Sequence, residues 1–201
     1  MYEAFNKIKK EKQDKIINSA MEEFSKYGYE KASTNNIVAN ANISKGLLFH
    51  YFSNKQGLFD FLINYSFEVM INEINEKVNW EEMDIFDRLK EIFMIKMKVS
   101  RKYPRIFHFF NIMLEYKSVE EIMKEERVSN LLSKIYFQDI DYTKFKEDID
   151  PVKALNIIKW TFEKYGDENL KKFQTDGLID FDKISTEIDE YIDILRLAFY
   201  R

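Results

Sequence analysis

Apolar positions recur along almost the whole chain at helical spacing. Ile17, Ala20, Met21 and Phe24 stand at i, i+3, i+4 and i+7, the inner stripe of a helix over about 12–27. Gly28 follows as a left-handed stop. Ile37, Val38 and Ala41 form the inner side of a short second helix, capped by Ser33 or Thr34. Asn42 tolerates a left-handed turn, and Ser44 caps another short helix from Lys45 to about Tyr51. Two short helices joined by a tight turn and braced by a longer one make a helix-turn-helix unit. Asn54 then caps a long helix over about 55–78. Further helices are expected over 84–102, from Pro104 to about 116, from a Ser118–Glu121 capping box to about 137, from Asp150-Pro151 to about 174, and over 181–199 after a break at Gly177. Gly166 weakens the middle of the 151–174 helix, and the acidic stretch 139–150 reads as a loop. There is no repeat and no strand pattern. The expectation is an all-α fold of about nine helices, divided into residues 1–53 and 54–201.

Composition narrows this picture. Of 201 residues, 45% are apolar and 33% charged, with two prolines and five glycines, a globular and helix-favouring balance. The absence of cysteine excludes disulfides and thiolate metal sites and fits a reducing cytoplasm. No apolar run exceeds four residues, too short for a membrane span, and the first residues lack the apolar core of a secretory signal. The protein is expected in the cytoplasm, with no membrane partner. Two histidines, no Glu-x-x-His pair and no glycine-rich phosphate loop leave no catalytic set, metal site or cofactor to predict. Charge is uneven. Nine lysines against six acids give residues 1–59 a net +3, while the whole chain carries −4. A basic front and an acidic remainder point the front at a polyanion.

The short helix after Ser44 suits that role. Such a helix enters the major groove and presents its first residues to base edges. Its free N–H groups and positive dipole end suit a phosphate. Ser44 and Lys45 stand at that end, and Gly46 lets the backbone approach a duplex closely. Tyr51 and Lys55 lie further along, spaced for phosphates, and Thr34 opens the preceding helix. Leu48, Phe52 and Phe59 are read as core, and the basic run Lys7, Lys9, Lys10 and Lys12 as solvated.

The stretch Ser44-Lys45-Gly46-Leu47-Leu48-Phe49-His50-Tyr51-Phe52, followed by Lys55 and Leu58-Phe59, resembles the DNA-binding segment of the tetracycline-repressor (TetR/AcrR) family. Ile17, Ala20, Phe24 and Tyr27-Gly28 agree, as does Thr34 before Ile37. The resemblance covers about residues 12–60. It implies a homodimeric transcription regulator, usually a repressor, that binds double-stranded DNA at a palindrome. By matching position, Thr34, Ser44, Lys45, Gly46, Leu47, His50, Tyr51 and Lys55 are the expected DNA contacts. The chain departs from the family pattern at Asn42, where glycine is common, and at Leu47, where a small polar residue is common. Leucine can touch a thymine methyl but cannot hydrogen-bond a base.

The resemblance also implies that residues 54–201 bind a small effector and dimerise. The helices of this region are apolar on more than one face, so they fill a core or line a cavity. The expected effector is apolar or amphipathic, with Phe93, Met97, Phe110, Met113, Tyr136, Trp160 and Tyr165 as candidate walls. Ile188, Ile192, Leu195 and Phe199 are the expected dimer stripe of the last helix. The other readings open at this stage are an activator and a regulator controlled by a protein partner.

Overall fold

The computed structural model describes residues 2–116, 121–122, 124–176 and 180–201. It is all-α: α1 (Glu3–Asn6), α2 (Lys10–Lys31), α3 (Thr34–Ala41), α4 (Lys45–Phe52), α5 (Lys55–Lys77), α6 (Ile85–Lys102), α7 (Pro104–Leu114), α8 (Glu126–Phe137), α9 (Pro151–Asp176) and α10 (Phe181–Phe199), with one 3₁₀ turn at Tyr142–Lys144. No strand occurs among the described residues, and Phe145 and Tyr200 form an isolated antiparallel bridge. Ser118 and Gly177, assigned above to a capping box and a helix break, lie outside the described residues.

Two boundaries differ from expectation for local reasons. Residues 3–6 form a short helix whose Phe5 is fully buried, so the chain orders earlier than its lysine-rich start suggests. Gly28 has φ 70° and ψ 171°, which kinks α2 rather than ending it, and the helix resumes to Lys31. Only glycine holds that backbone region cheaply.

The chain forms two compact units, residues 1–69 with 102–118 and residues 70–101 with 119–201. The first takes in the front of α5 and all of α7 as well as the expected residues 1–53. Within it α3 and α7 both pack on α2. Phe24, Phe59 and Phe109 meet edge-on or tilted, with ring centroids 5.1–6.3 Å apart. A second aromatic set gathers Phe5, Tyr51, Phe52 and Phe61. Such pairs add specific geometry to the area they bury.

The second unit is organised by two buried charges. Asp84 caps α6, accepting from the Phe86 amide at 2.9 Å, and its carboxylate meets Lys144 Nζ at 2.8 Å and Arg196 at 3.3 Å. One acid thereby ties the start of α6 to the 3₁₀ turn and the end of α10. Burial pushes the Asp84 carboxyl up, but the Lys144 and Phe86 hydrogen bonds and the Arg196 charge outweigh it and hold the group below the usual carboxylate range. Arg88 is fully buried and donates to main-chain carbonyls, among them Gln138 at 2.7 Å and Ile135 at 3.3 Å. Those carbonyls close α8, and the guanidinium satisfies acceptors that the helix end leaves open.

Candidate nucleic-acid interface

The turn between α3 and α4 is built by residues that leave the backbone little choice. Ser33 caps α3, its Oγ accepting from the Asn36 amide at 3.5 Å. The buried carboxylate of Glu23 on α2 accepts from the Ser33 amide at 2.9 Å and from Asn36 Nδ2 at 3.1 Å. It fixes where α3 starts. Asn42 ends the helix at φ 54° and ψ 51°; its amide reaches the Ala39 carbonyl at 3.2 Å, and the Ile43 amide reaches Val38 at 3.0 Å. That pairing is a Schellman closure, with asparagine in the position glycine commonly takes. Ser44 Oγ then accepts from the Leu47 amide at 3.2 Å and caps α4.

The far end of α4 is equally determined. Ser53 adopts φ 65°, and Asn54 Oδ1 accepts from the Gly57 amide at 2.8 Å to open α5. A Cβ at Gly57 would collide with the Phe52 carbonyl, so only glycine lets α5 start this close to α4.

Leu48 and Phe52 are buried, as the sequence predicts. Ser44 and Lys45 at the start of α4, and Gly46 and His50 across the helix from Leu48, are exposed; Leu47, and Thr34 at the start of α3, are half-buried. A Cβ at Gly46 would meet nothing within 4 Å, so the backbone there borders open space. Neither α3 nor α4 contains a carboxylate, and the first amides of α4 lie at the same helix end as Lys45. The surface can therefore accept a polyanion, hydrogen-bond phosphate oxygens, and enter a groove at Gly46 without steric cost.

Two predicted contacts have partners inside the protein. Tyr51 is 9% exposed, and its ring packs 5.6 Å from Phe5. Lys55 Nζ donates to the Glu30 carbonyl at 3.0 Å and lies 4.9 Å from the Tyr29 ring centroid. Sequence reasoning missed Glu23 and Phe5, which hold the surface from behind. No local pattern marks Glu23, whose partners are ten and thirteen residues away.

The candidate effector walls are divided between the units. Phe93, Met97, Tyr136, Trp160 and Tyr165 belong to the second, Phe110 and Met113 to the first. Met97, Met113 and Tyr136 are buried; Phe93, Phe110 and Tyr165 are half-buried; Trp160 is 62% exposed and so stands on the surface. Of the expected dimer stripe, Ile188, Ile192 and Leu195 are buried within the single chain, and Phe199 is half-buried. The large apolar residues that α10 exposes are Tyr191, Ile194 (64%) and Leu197 (80%).

Residues 16–61 match the family model for bacterial regulatory proteins of the tetR family. Among characterised relatives, the transcriptional regulator RutR of Escherichia coli O157:H7 is 25% identical over 124 residues, 62% of this chain and 57% of RutR. This chain thus spans a little over half the length of that relative. The negative regulator of the biofilm operon icaADBC, IcaR of Staphylococcus aureus strain Newman, is 24% identical over 150 residues, 73% of this chain and 81% of IcaR. Among solved structures, the fatty acid degradation regulator FadR of Bacillus halodurans superposes with a TM-score of 0.70 at 20% identity, over 92% of this chain and 96% of that one. FadR of Bacillus subtilis in complex with stearoyl-CoA gives 0.66 at 19% identity, over 90% and 96%. These likenesses establish the fold over about nine-tenths of the chain.

Proposed function

We propose that the chain, whose residues 16–61 match the tetR family of bacterial regulatory proteins, is a ligand-responsive repressor acting as a homodimer on a palindromic operator. The observation that carries the reading is the α3–turn–α4 surface. Its inner side is locked by Leu48 and Phe52, and its outer side offers Ser44, Lys45, Gly46, His50 and the α4 amides with no acid among them. In this reading Lys45 and the α4 N-terminus hold phosphates, Leu47 touches a thymine methyl, and His50 reads or positions. Lys55 reaches a phosphate by leaving the Glu30 carbonyl.

Pairing of two copies uses Tyr191, Ile194 and Leu197 of α10, supported by Val152, Ile157 and Trp160 of α9, which are large, apolar and exposed. Apolar groups left open on two successive helices are the kind a twofold interface covers. Twofold pairing sets two copies of α4 about one duplex turn, roughly 34 Å, apart. An apolar or amphipathic effector held among the second unit's half-buried aromatics would release DNA by favouring a different spacing. It can do so only if it binds the two states unequally. The named ligand of the Bacillus subtilis neighbour, an acyl-CoA, is of that amphipathic class.

The test is selection of duplexes from a random pool by the purified protein, followed by salt titration of the selected site. The expected result is a palindrome whose affinity falls steeply with salt and is lost in Lys45→Ala. Binding without sequence preference would overturn the reading.

A further inference from the structure

The two ends of α4 are held in different ways. Its first turn is fixed locally, by the Asn42 closure and the Ser44 cap. Its last turn is seated by α1, from the far end of the unit's sequence. Phe5 is 1% exposed, and its ring centroid lies 5.6 Å from that of Tyr51, 4.9 Å from Phe52 and 5.0 Å from Phe61. Tyr2 stands beside it, 5.9 Å from Phe52 and 5.0 Å from Phe61, and its phenol donates to the Gly57 carbonyl at 3.2 Å. On α2, Gln13 Nε2 donates to the Phe5 and Asn6 carbonyls at 3.0 and 3.2 Å. Residues 2–6 thus tie α2, the end of α4 and the start of α5 together within one unit.

Two details set this tie apart from ordinary core. Tyr2 adopts φ 67°, a left-handed conformation that a bulky residue keeps only where its surroundings over-determine it. Ring contacts also continue outward from Phe5. Tyr51, on which Phe5 packs edge-on, has its ring 5.7 Å from that of exposed His50. One residue therefore separates the buried ring from a side chain of the candidate DNA surface.

A short helix fixed at one end and propped at the other keeps one freedom, its tilt about the fixed end. Loss of the prop opens space that the neighbours fill only in part. Lys45 and the first amides lie at the fixed end and move little. His50 lies in the propped turn and moves most. Base edges are read by short, directed contacts, whereas a phosphate charge is felt over a longer range. We infer that Phe5 is a positioning residue for sequence readout: through Tyr51 it sets the tilt of α4 and the place of His50, and so governs discrimination between operator and other DNA. This rests on the DNA-binding reading proposed above and adds a residue to it that touches no DNA.

The test is fluorescence anisotropy of the full chain on the selected operator and on a scrambled duplex across a salt series, with nuclear magnetic resonance of the His50 ring in DNA-free protein. Phe5→Ala is expected to weaken operator binding at least tenfold, leave scrambled-duplex binding within threefold and its salt slope unchanged, and shift the His50 ring resonances. Ile16→Ala, which truncates a buried α2 side chain outside the aromatic set, controls for lost stability. It should melt lower while its ratio of operator to scrambled affinity stays within twofold. Phe5→Leu refills most of the site and should lose discrimination only severalfold, which keeps the test open if Phe5→Ala misfolds. In a His50→Ala background the further loss from Phe5→Ala should shrink to threefold or less, because the side chain it places is gone. An unchanged ratio in both Phe5 variants, equal losses on both duplexes, the same loss in Ile16→Ala, or full additivity with His50→Ala would overturn the inference. The two readings fail separately. A parent that selects no operator removes the DNA reading, while shifted His50 resonances in Phe5→Ala still uphold Phe5 as the seat of α4. A selected operator with unchanged discrimination in the Phe5 variants upholds the DNA reading and removes the inference.

Discussion

Replacing Gly46 by alanine should separate folding from DNA binding in opposite directions. Gly46 is the second residue of α4, helical, exposed, and free of any neighbour within 4 Å of an added Cβ. Alanine loses less conformational entropy than glycine in a helix, worth about 0.5–1 kcal/mol. In a chain of 201 residues that corresponds to a rise in melting temperature of roughly 1–4 °C. The same methyl projects from the surface assigned to the duplex. Holding the backbone away from a phosphate or base edge costs about 1–3 kcal/mol, roughly a tenfold to hundredfold loss of affinity. The assays are thermal denaturation by circular dichroism and fluorescence anisotropy with the selected operator at fixed salt. Gly57→Ala is the contrast, because its Cβ would strike the Phe52 carbonyl, and it should lose stability outright. A Gly46→Ala protein that melts lower than the parent, or that binds DNA unchanged, would refute the placement of this surface.

Three further predictions follow from the buried polar groups and the exposed helix faces. Glu23→Ala removes the acceptor for the Ser33 amide and Asn36 Nδ2, and at about 1.5–3 kcal/mol per hydrogen bond to a charged group it should cost about 3 kcal/mol or more, read as a lowered urea midpoint. Asp84 has its folded pKa held down, so its stabilisation is present above the unfolded value near pH 4 and is lost as pH falls from there through the folded value; Asp84→Asn should lower stability at pH 7 and flatten the acid limb of the stability profile below about pH 4. Ile194→Asp with Leu197→Asp should convert a dimer to a monomer in light scattering while leaving the helical signal intact, and an unchanged mass would place the interface elsewhere.

Helix positions were legible because they depend on neighbours three and four residues apart. The two short helices, the Ser33 and Ser44 caps and the Asn42 turn lie within the twenty residues 33–52, and local chemistry alone specifies them. The α10 stripe was legible as apolar but not as to what covers it. Ile188, Ile192 and Leu195 are buried within the single chain, while Ile194 and Leu197 remain open, and a 3.6-residue period is the same in either case. Buried charges were the least legible. Asp84 meets Lys144 and Arg196 across 60 and 112 residues, and Arg88 meets Gln138 across 50, separations at which sequence pattern carries no pairing information. Tyr51 and Lys55 show the same limit from the other side. Their types suit phosphate, yet Phe5, Tyr29 and the Glu30 carbonyl, all distant in sequence, engage them first.

The central claim is that α4 reads DNA with its N-terminal surface. Selection from a random duplex pool at near-physiological salt, repeated with Lys45→Ala, tests it most directly. The account predicts a recovered palindrome, with half-sites about 10 base pairs apart, that the variant no longer enriches. Recovery of no sequence, or of the same palindrome by both proteins, would contradict it.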